Sequence, residues 1–320
     1  MRRRTAVLTV AAVALVGCAC ASASSPGGAA PAPAARGDVG SCPTFPDDNW
    51  WHADVSGLPV HARSDAWIGH MSPGVDLHPD FGPTRKYGIP VTVVDGDHRK
   101  VKVRFQYSDE SDHVRYPLGS DTRIEGGAKA SGDRHAIVVD KDSCTLYETW
   151  HTKKLDDGWH AGSGAVWDLR SNDLRPEGWT SADAAGLPIL PGLLTWPEVR
   201  DDHIDHAIRF TVDVSSKHHI WPARHDAGSK SSCSYPPMGA RFRLKADYDA
   251  SDLGDDAQRV VAAMKKYGMV LADNGSDWFF QGAMSTAWPD DLISDLKTIP
   301  ANEFEAVDTA GIIPADGDPC

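Results

Sequence analysis

Imidazoles and carboxylates crowd one stretch of this chain. His203, His206, His218, His219 and His225 lie close together with Asp202, Asp205 and Asp226. Such a density suits either metal ligation or proton transfer, since imidazole titrates near neutrality. His203 and His206 stand three apart at the entrance to an expected strand, where i and i+3 point to opposite faces. That argues against a shared ion, so no metal or other cofactor is expected, and His206 and His225 become general acid–base candidates. Their carboxylate partners would be Asp168, in Ala165-Val166-Trp167-Asp168-Leu169, and Asp183, just ahead of the Pro-braced loop 187–194. Glu148, like Asp168, sits in a hydrophobic strand pattern, where an unpaired carboxylate is costly. Two carboxyl groups, one of them in an apolar setting, are what glycoside hydrolysis needs.

Cations form a second set. Arg241, Arg243 and Lys245 alternate along one segment, Arg209 lies in another, and Arg224 follows Trp221-Pro222-Ala223. Asp213, Asp247 and Asp249 could neutralise them. Alternatively Arg209, Arg224, Arg243 and Lys245 hold an acidic ligand, for which forked guanidiniums are well shaped. Trp221 belongs with them as a stacking surface, one of 11 tryptophans that mostly neighbour polar or turn residues. An indole face matches the C–H face of a sugar ring, although tryptophan is on average a highly buried residue. No Gly-x-Ser-x-Gly elbow, phosphate-binding loop or His-Glu-x-x-His pattern occurs.

The elements that must position these groups read mainly as strands. Segments 89–94, 101–107, 135–140, 145–150, 165–169, 207–214, 240–247 and 269–272 are short, β-branched or aromatic, and bounded by turn residues. In 207–214 and 240–247 apolar and polar residues alternate, predicting one core face and one wet face. Helices are expected over 255–267, where Ala257, Val260, Val261 and Met264 share a face and Gly268 stops the run, and over 290–297 behind Pro289. Segments 64–68 and 181–185 are short helix candidates. The fold class is therefore mainly β: a β-sandwich or barrel-like single domain with a few peripheral helices.

Export is the clearest message. Arg2, Arg3 and Arg4 precede the apolar stretch 6–16, which has signal-peptide length and is too short to span a bilayer. It ends in Leu15-Val16-Gly17-Cys18, similar to a bacterial lipobox, which implies cleavage before Cys18 and acylation of its thiol. Residues 1–17 are then the signal, 18–41 a flexible Ala/Ser/Pro/Gly tether, and 42–320 the globular domain. The protein is expected on the outer face of the cytoplasmic membrane, touching lipid through its anchor only. Cys42, Cys144, Cys233 and Cys320 suit two disulfides, with Cys42–Cys320 and Cys144–Cys233 the expected pairing. The net charge of −13 excludes nucleic acid as a general partner.

Read together, Phe45-Pro46-Asp47-Asp48-Asn49-Trp50-Trp51, His78-Pro79-Asp80-Phe81-Gly82, Gly162-Ser163-Gly164-Ala165, 182–192 and Ala272-Asp273-Asn274-Gly275-Ser276 resemble a family of secreted bacterial proteins common in actinobacteria. The resemblance spans the mature domain and implies export and a shared architecture; it carries no catalytic role over. The expectation from the residues is an anchored lipoprotein that binds, and as a hydrolase or lyase cleaves, an extracellular or cell-wall glycan, including an anionic one. The alternatives are a non-catalytic glycan-binding or envelope-scaffolding lipoprotein and a metal-binding one.

Overall fold

The computed structural model describes Val39, residues 41–127 and residues 129–312; the expected signal peptide, Cys18 and Cys320 lie outside them. In chain order the elements are α1 (Ser64–Gly69), β1 (His78–Pro79), β2 (Val91–Val94), β3 (Val103–Phe105), β4 (Ala136–Asp140), β5 (Thr145–Trp150), β6 (Lys153–Leu155), β7 (Gly158–Ala161) and β8 (Ser163–Asp168). There follow α2 (Trp196–Arg200), β9 (Ile208–Val212), β10 (Arg241–Leu244), α3 (Asp255–Lys266), β11 (Met269–Asn274), β12 (Phe279–Phe280), α4 (Asp290–Leu296) and β13 (Phe304–Ala306).

The strands form three sheets: a six-stranded one in the order β1-β12-β9-β11-β10-β13, a four-stranded β2-β4-β5-β8 and a three-stranded β3-β7-β6. The four-stranded sheet is the middle layer. Ile137, Val139, Leu146 and Trp167 face the main core shared with the six-stranded sheet. Val94, Val138 and Tyr147 face a smaller core beneath the three-stranded one. Being covered on both sides explains why β4 is buried throughout and apolar up to its terminal Asp140. The mainly β class expected from the sequence is the one observed, with helices at the periphery.

The helix patterns resolve as read. α3 buries Ala257, Val260, Val261 and Met264, and Gly268 takes φ +70° where a Cβ would meet Phe242 O at 2.3 Å. α4 turns Leu292, Ile293 and Leu296 inward. Segment 181–185 is no helix but a tight turn whose backbone closes on side-chain hydroxyls, Asp183 N–H donating to Ser181 Oγ at 2.9 Å. α2 was not expected, although Thr195 and Glu198 form a full capping box around it.

Most of the two expected wet faces is in fact buried, with Asp213 exposed and Lys245 half-exposed at their ends. Every residue of β9 and β10 is covered, because loops and carboxylates from distant segments seal the cations. Arg241 donates to the carbonyls of Tyr267, Trp50 and Ala53. Arg243 donates to Glu305 and to the carbonyls of Val55, Ser56 and Leu58. Lys245 holds Asn302 O at 2.8 Å and lies 3.7 Å from Glu303. These guanidiniums fasten the 50–58 segment to the sheet.

The disulfide pairing differs from expectation too. Cys42 bonds Cys144, across a sequence separation of 102, which overturns both Cys42–Cys320 and Cys144–Cys233; Cys233 is itself disulfide-bonded. The bridge ties the domain's first residues to the β4–β5 turn and marks an oxidising, extracytoplasmic compartment. Replacing Cys42 by Ser is expected to lower unfolding free energy by about 2–4 kcal/mol. Urea melts of the oxidised variant and parent measure it.

Candidate functional site

The polar centre of the molecule begins with a slip in register. β9 and β11 run parallel, and between Leu271 and Asp273 the pairing shifts by one residue. Ala272 is squeezed out of the ladder, its carbonyl accepting instead from Ala185 N–H at 2.9 Å. Asp273 thereby stands beside Thr211, on the face that carries Arg209 two residues earlier. Without this bulge Asp273 would point to the other face.

Arg209 reaches the 181–185 turn. Its Nε donates to Asp183 Oδ2 at 2.9 Å and its Nη2 to Oδ1 at 2.6 Å, a forked pair with both side chains almost fully buried. The turn that presents Asp183 depends on Gly186, at φ +71°, where a Cβ would lie 2.5 Å from Trp179 O. Asp273 lies 3.8 Å from the same guanidinium. One guanidinium thus faces two carboxyl groups, and only one of them can be an anion at little cost. Burial holds Asp273 well above the usual carboxylate range, Asp183's charge adds to the effect, and Arg209 only partly opposes it. Of the two, Asp273 is the carboxyl pushed upward.

The layer below repeats this logic. His135 donates from both ring nitrogens, to Glu125 Oε2 at 2.7 Å and Ala182 O at 3.2 Å. Burial works against its charge, but Glu125 lifts it to about 9, so it is an imidazolium. Glu148 on β5, fully buried, accepts from the N–H groups of Ile189 and Leu190 at 2.9–3.0 Å. Burial nevertheless raises it to about 7, and the charge on Asp183 pushes the same way.

A carboxyl whose folded value exceeds its unfolded one stabilises the fold fully below the unfolded value and loses that contribution as pH rises through the folded one. Stability should therefore decline between about pH 4.5 and 7, the penalty approaching about 3 kcal/mol. Chemical melts of Glu148→Gln should show that slope flattened.

Above this network opens a cavity of about 470 Å³, into which Asp273, His225, Glu110, Asp133 and Trp150 face. Asp273 is 22% exposed there, while Asp183 is sealed. His225 Nδ1 donates to Ala184 O at 2.8 Å, which turns Nε2 toward Glu110 Oε2 at 3.6 Å and the cavity. Glu110 also accepts from Thr180 N–H at 3.1 Å.

Trp150 forms one wall, its Nε1 donating to Asp133 at 3.1 Å and its ring tilted against Tyr107 with centroids 6.2 Å apart. The indole lies directly over Gly162, where a Cβ would come within 2.0 Å of Cε3. That contact gives the Gly162-Ser163-Gly164 turn its physical reason. Gly162→Ala should swing Trp150 off the wall, which a change in the protein's tryptophan fluorescence and near-ultraviolet circular dichroism against the parent reads.

The site residues expected from the sequence divide cleanly. Asp183, Arg209 and His225 converge at this cavity. His206 does not: it lies 3.6 Å from Glu198, beside a narrower hollow of about 170 Å³ lined by Leu190, Trp196 and Met284. Asp168, at the exposed end of β8, accepts from Arg170 N–H at 2.9 Å and braces a turn. Arg224 pairs with Glu177 at 2.9 Å and bonds Arg175 O. Trp221 packs its edge on Trp50 at 6.2 Å. Arg243 and Lys245 are the structural cations already described.

Of the histidine-rich segment, His219 is held between Glu177 and Asp226 at 2.9 and 2.6 Å. Among the described residues no three His, Cys, Asp or Glu converge as metal ligands would. Asp273, Glu110, Tyr107 and Trp150 were not singled out as site residues, and only the placement of Asp273 after an apolar strand run could have hinted at it.

No protein-family model, curated protein or solved structure matches the chain.

Proposed function

We propose that this protein is an exported glycan hydrolase whose active site is the cavity above Arg209. The single observation that carries the reading is Asp273, set 3.8 Å from a guanidinium already forked onto Asp183, and facing a cavity walled by an indole. A carboxylic acid so placed can protonate a glycosidic oxygen as its C–O bond breaks. A water on the other side of the sugar supplies hydroxyl to the anomeric carbon and gives a proton to His225 Nε2. Asp273 regains its proton from solvent. Trp150 and Tyr107 stack the ring being cleaved. Asp183, sealed from the cavity, positions Asp273 and does not touch substrate.

The Cys18 lipobox pattern, together with the disulfide, supports a lipoprotein displayed on the outer face of the cytoplasmic membrane. The test is a panel of cell-wall and extracellular glycans incubated with the protein. New reducing ends, without an ultraviolet-absorbing unsaturated product, are the expected result. An unsaturated product would replace hydrolysis by β-elimination, and binding without either product would make the protein a glycan-binding module. His225→Ala should lower kcat about 10²-fold or more with KM little changed; unchanged turnover removes His225 from the mechanism.

A further inference from the structure

The cavity is acidic, and none of the cations expected to hold an anionic glycan opens freely onto it. Cations gather instead on the small sheet next door. Over the face of β3-β7-β6 lies an open groove of about 380 Å³, lined by Arg104, Phe105, His151, Lys153, Leu155 and His160. We propose that this groove is a subsite for a negatively charged sugar, carrying a carboxylate or a sulfate ester, in the glycan whose neighbouring ring occupies the cavity. The inference rests on the glycan reading above.

Three observations carry it. First, the groove is basic in a strongly acidic protein, which needs an anion to settle it. Lys153 Nζ rests against His151 Nε2 at 2.6 Å instead of against a carboxylate. Arg104 and His160 share one counterion, Asp157, and Arg104 is 62% exposed. The forked guanidinium and the ammonium are the donors that carboxylate and sulfate groups take.

Second, the groove and the cavity are continuous along the backbone. Gln106 N–H donates to Ala161 O at 3.0 Å and Tyr107 N–H to Gly162 O at 2.8 Å, extending β3 from the groove to the cavity wall. His151 lines the groove while Trp150 walls the cavity, their ring centroids 5.3 Å apart. Third, an apolar floor is present, with Phe105 in the groove and Leu155 47% exposed at its edge. A saccharide stacked on Trp150 and Tyr107 therefore runs onto a floor ringed by cations.

Binding of tetragalacturonate, a sulfated galactan tetramer and uncharged cellotetraose to the Asp273→Asn protein, by calorimetry at about 20 and about 200 mM salt, tests the proposal. Because turnover plays no part, a failure of the hydrolytic mechanism leaves this result readable. At least one anionic tetramer is expected to bind tighter than cellotetraose, and Lys153→Gln and Arg104→Gln should each weaken it about tenfold without changing cellotetraose binding. The carboxylated and sulfated arms then show which anion is taken. Failure of both anionic tetramers to bind above cellotetraose, or anionic binding untouched by the two substitutions in protein with an unaltered melting curve, overturns it.

Discussion

Asp273→Asn should reduce glycan turnover by about 10²–10⁴-fold while the glycan still binds. The amide keeps the shape of the carboxyl group, so the wall of the cavity is preserved. What it lacks is an acidic proton for the leaving oxygen. A loss confined to kcat, with KM little altered, marks an interaction made only in the transition state. Substrates whose leaving group departs without protonation, such as nitrophenyl glycosides, should lose far less. If both substrate types fell equally, Asp273 would be shaping the cavity and not donating a proton.

Replacing Arg209 by Met should be the most destabilising single change at the site, costing about 3–5 kcal/mol in unfolding free energy. The substitution leaves Asp183 fully buried with no counterion, beside Glu148 and Asp273, two carboxyl groups whose surroundings already push them upward. Removing the charge at both ends, in Arg209→Met with Asp183→Leu, should recover a large part of the loss, because a buried pair replaced by apolar groups of similar size is often close to neutral. Urea melts of the single and double variants give the coupling directly. Additive losses would mean that the pair contributes through packing alone.

The expected pattern of strands and helices survived where local periodicity decides the outcome. α3 and β5 form as their residues dictate, since each needs only its own spacing and a core to pack against. The failures share a physical cause. Alternation in β9 and β10 marks two chemically different faces, but it cannot say whether the polar one meets water. Here it meets Asp183, Glu305 and a row of carbonyls contributed by residues far away in the chain. Asp273 was passed over for a related reason: one bulged residue decides which face it joins, and no local pattern announces that bulge.

His225, Asp183 and Arg209 were legible because their types suit proton transfer or its support, wherever they fold. His206, of the same type, was not separable from His225 by sequence, since only the backbone shows that its ring closes onto Glu198. The basic groove escaped notice because Arg104, Lys153 and His160 come from three different strands and His151 from the turn between β5 and β6.

The account stands on one proton. Selective ¹³C labelling of aspartate carboxyl groups, titrated by NMR in the parent and in Asp273→Asn, observes it directly. A carboxyl resonance that keeps its protonated position well above the pH at which the other aspartates ionise, and is missing from Asp273→Asn, is the predicted result. If every aspartate resonance has moved to its ionised position by about pH 5, the acid at the heart of the proposed mechanism does not exist.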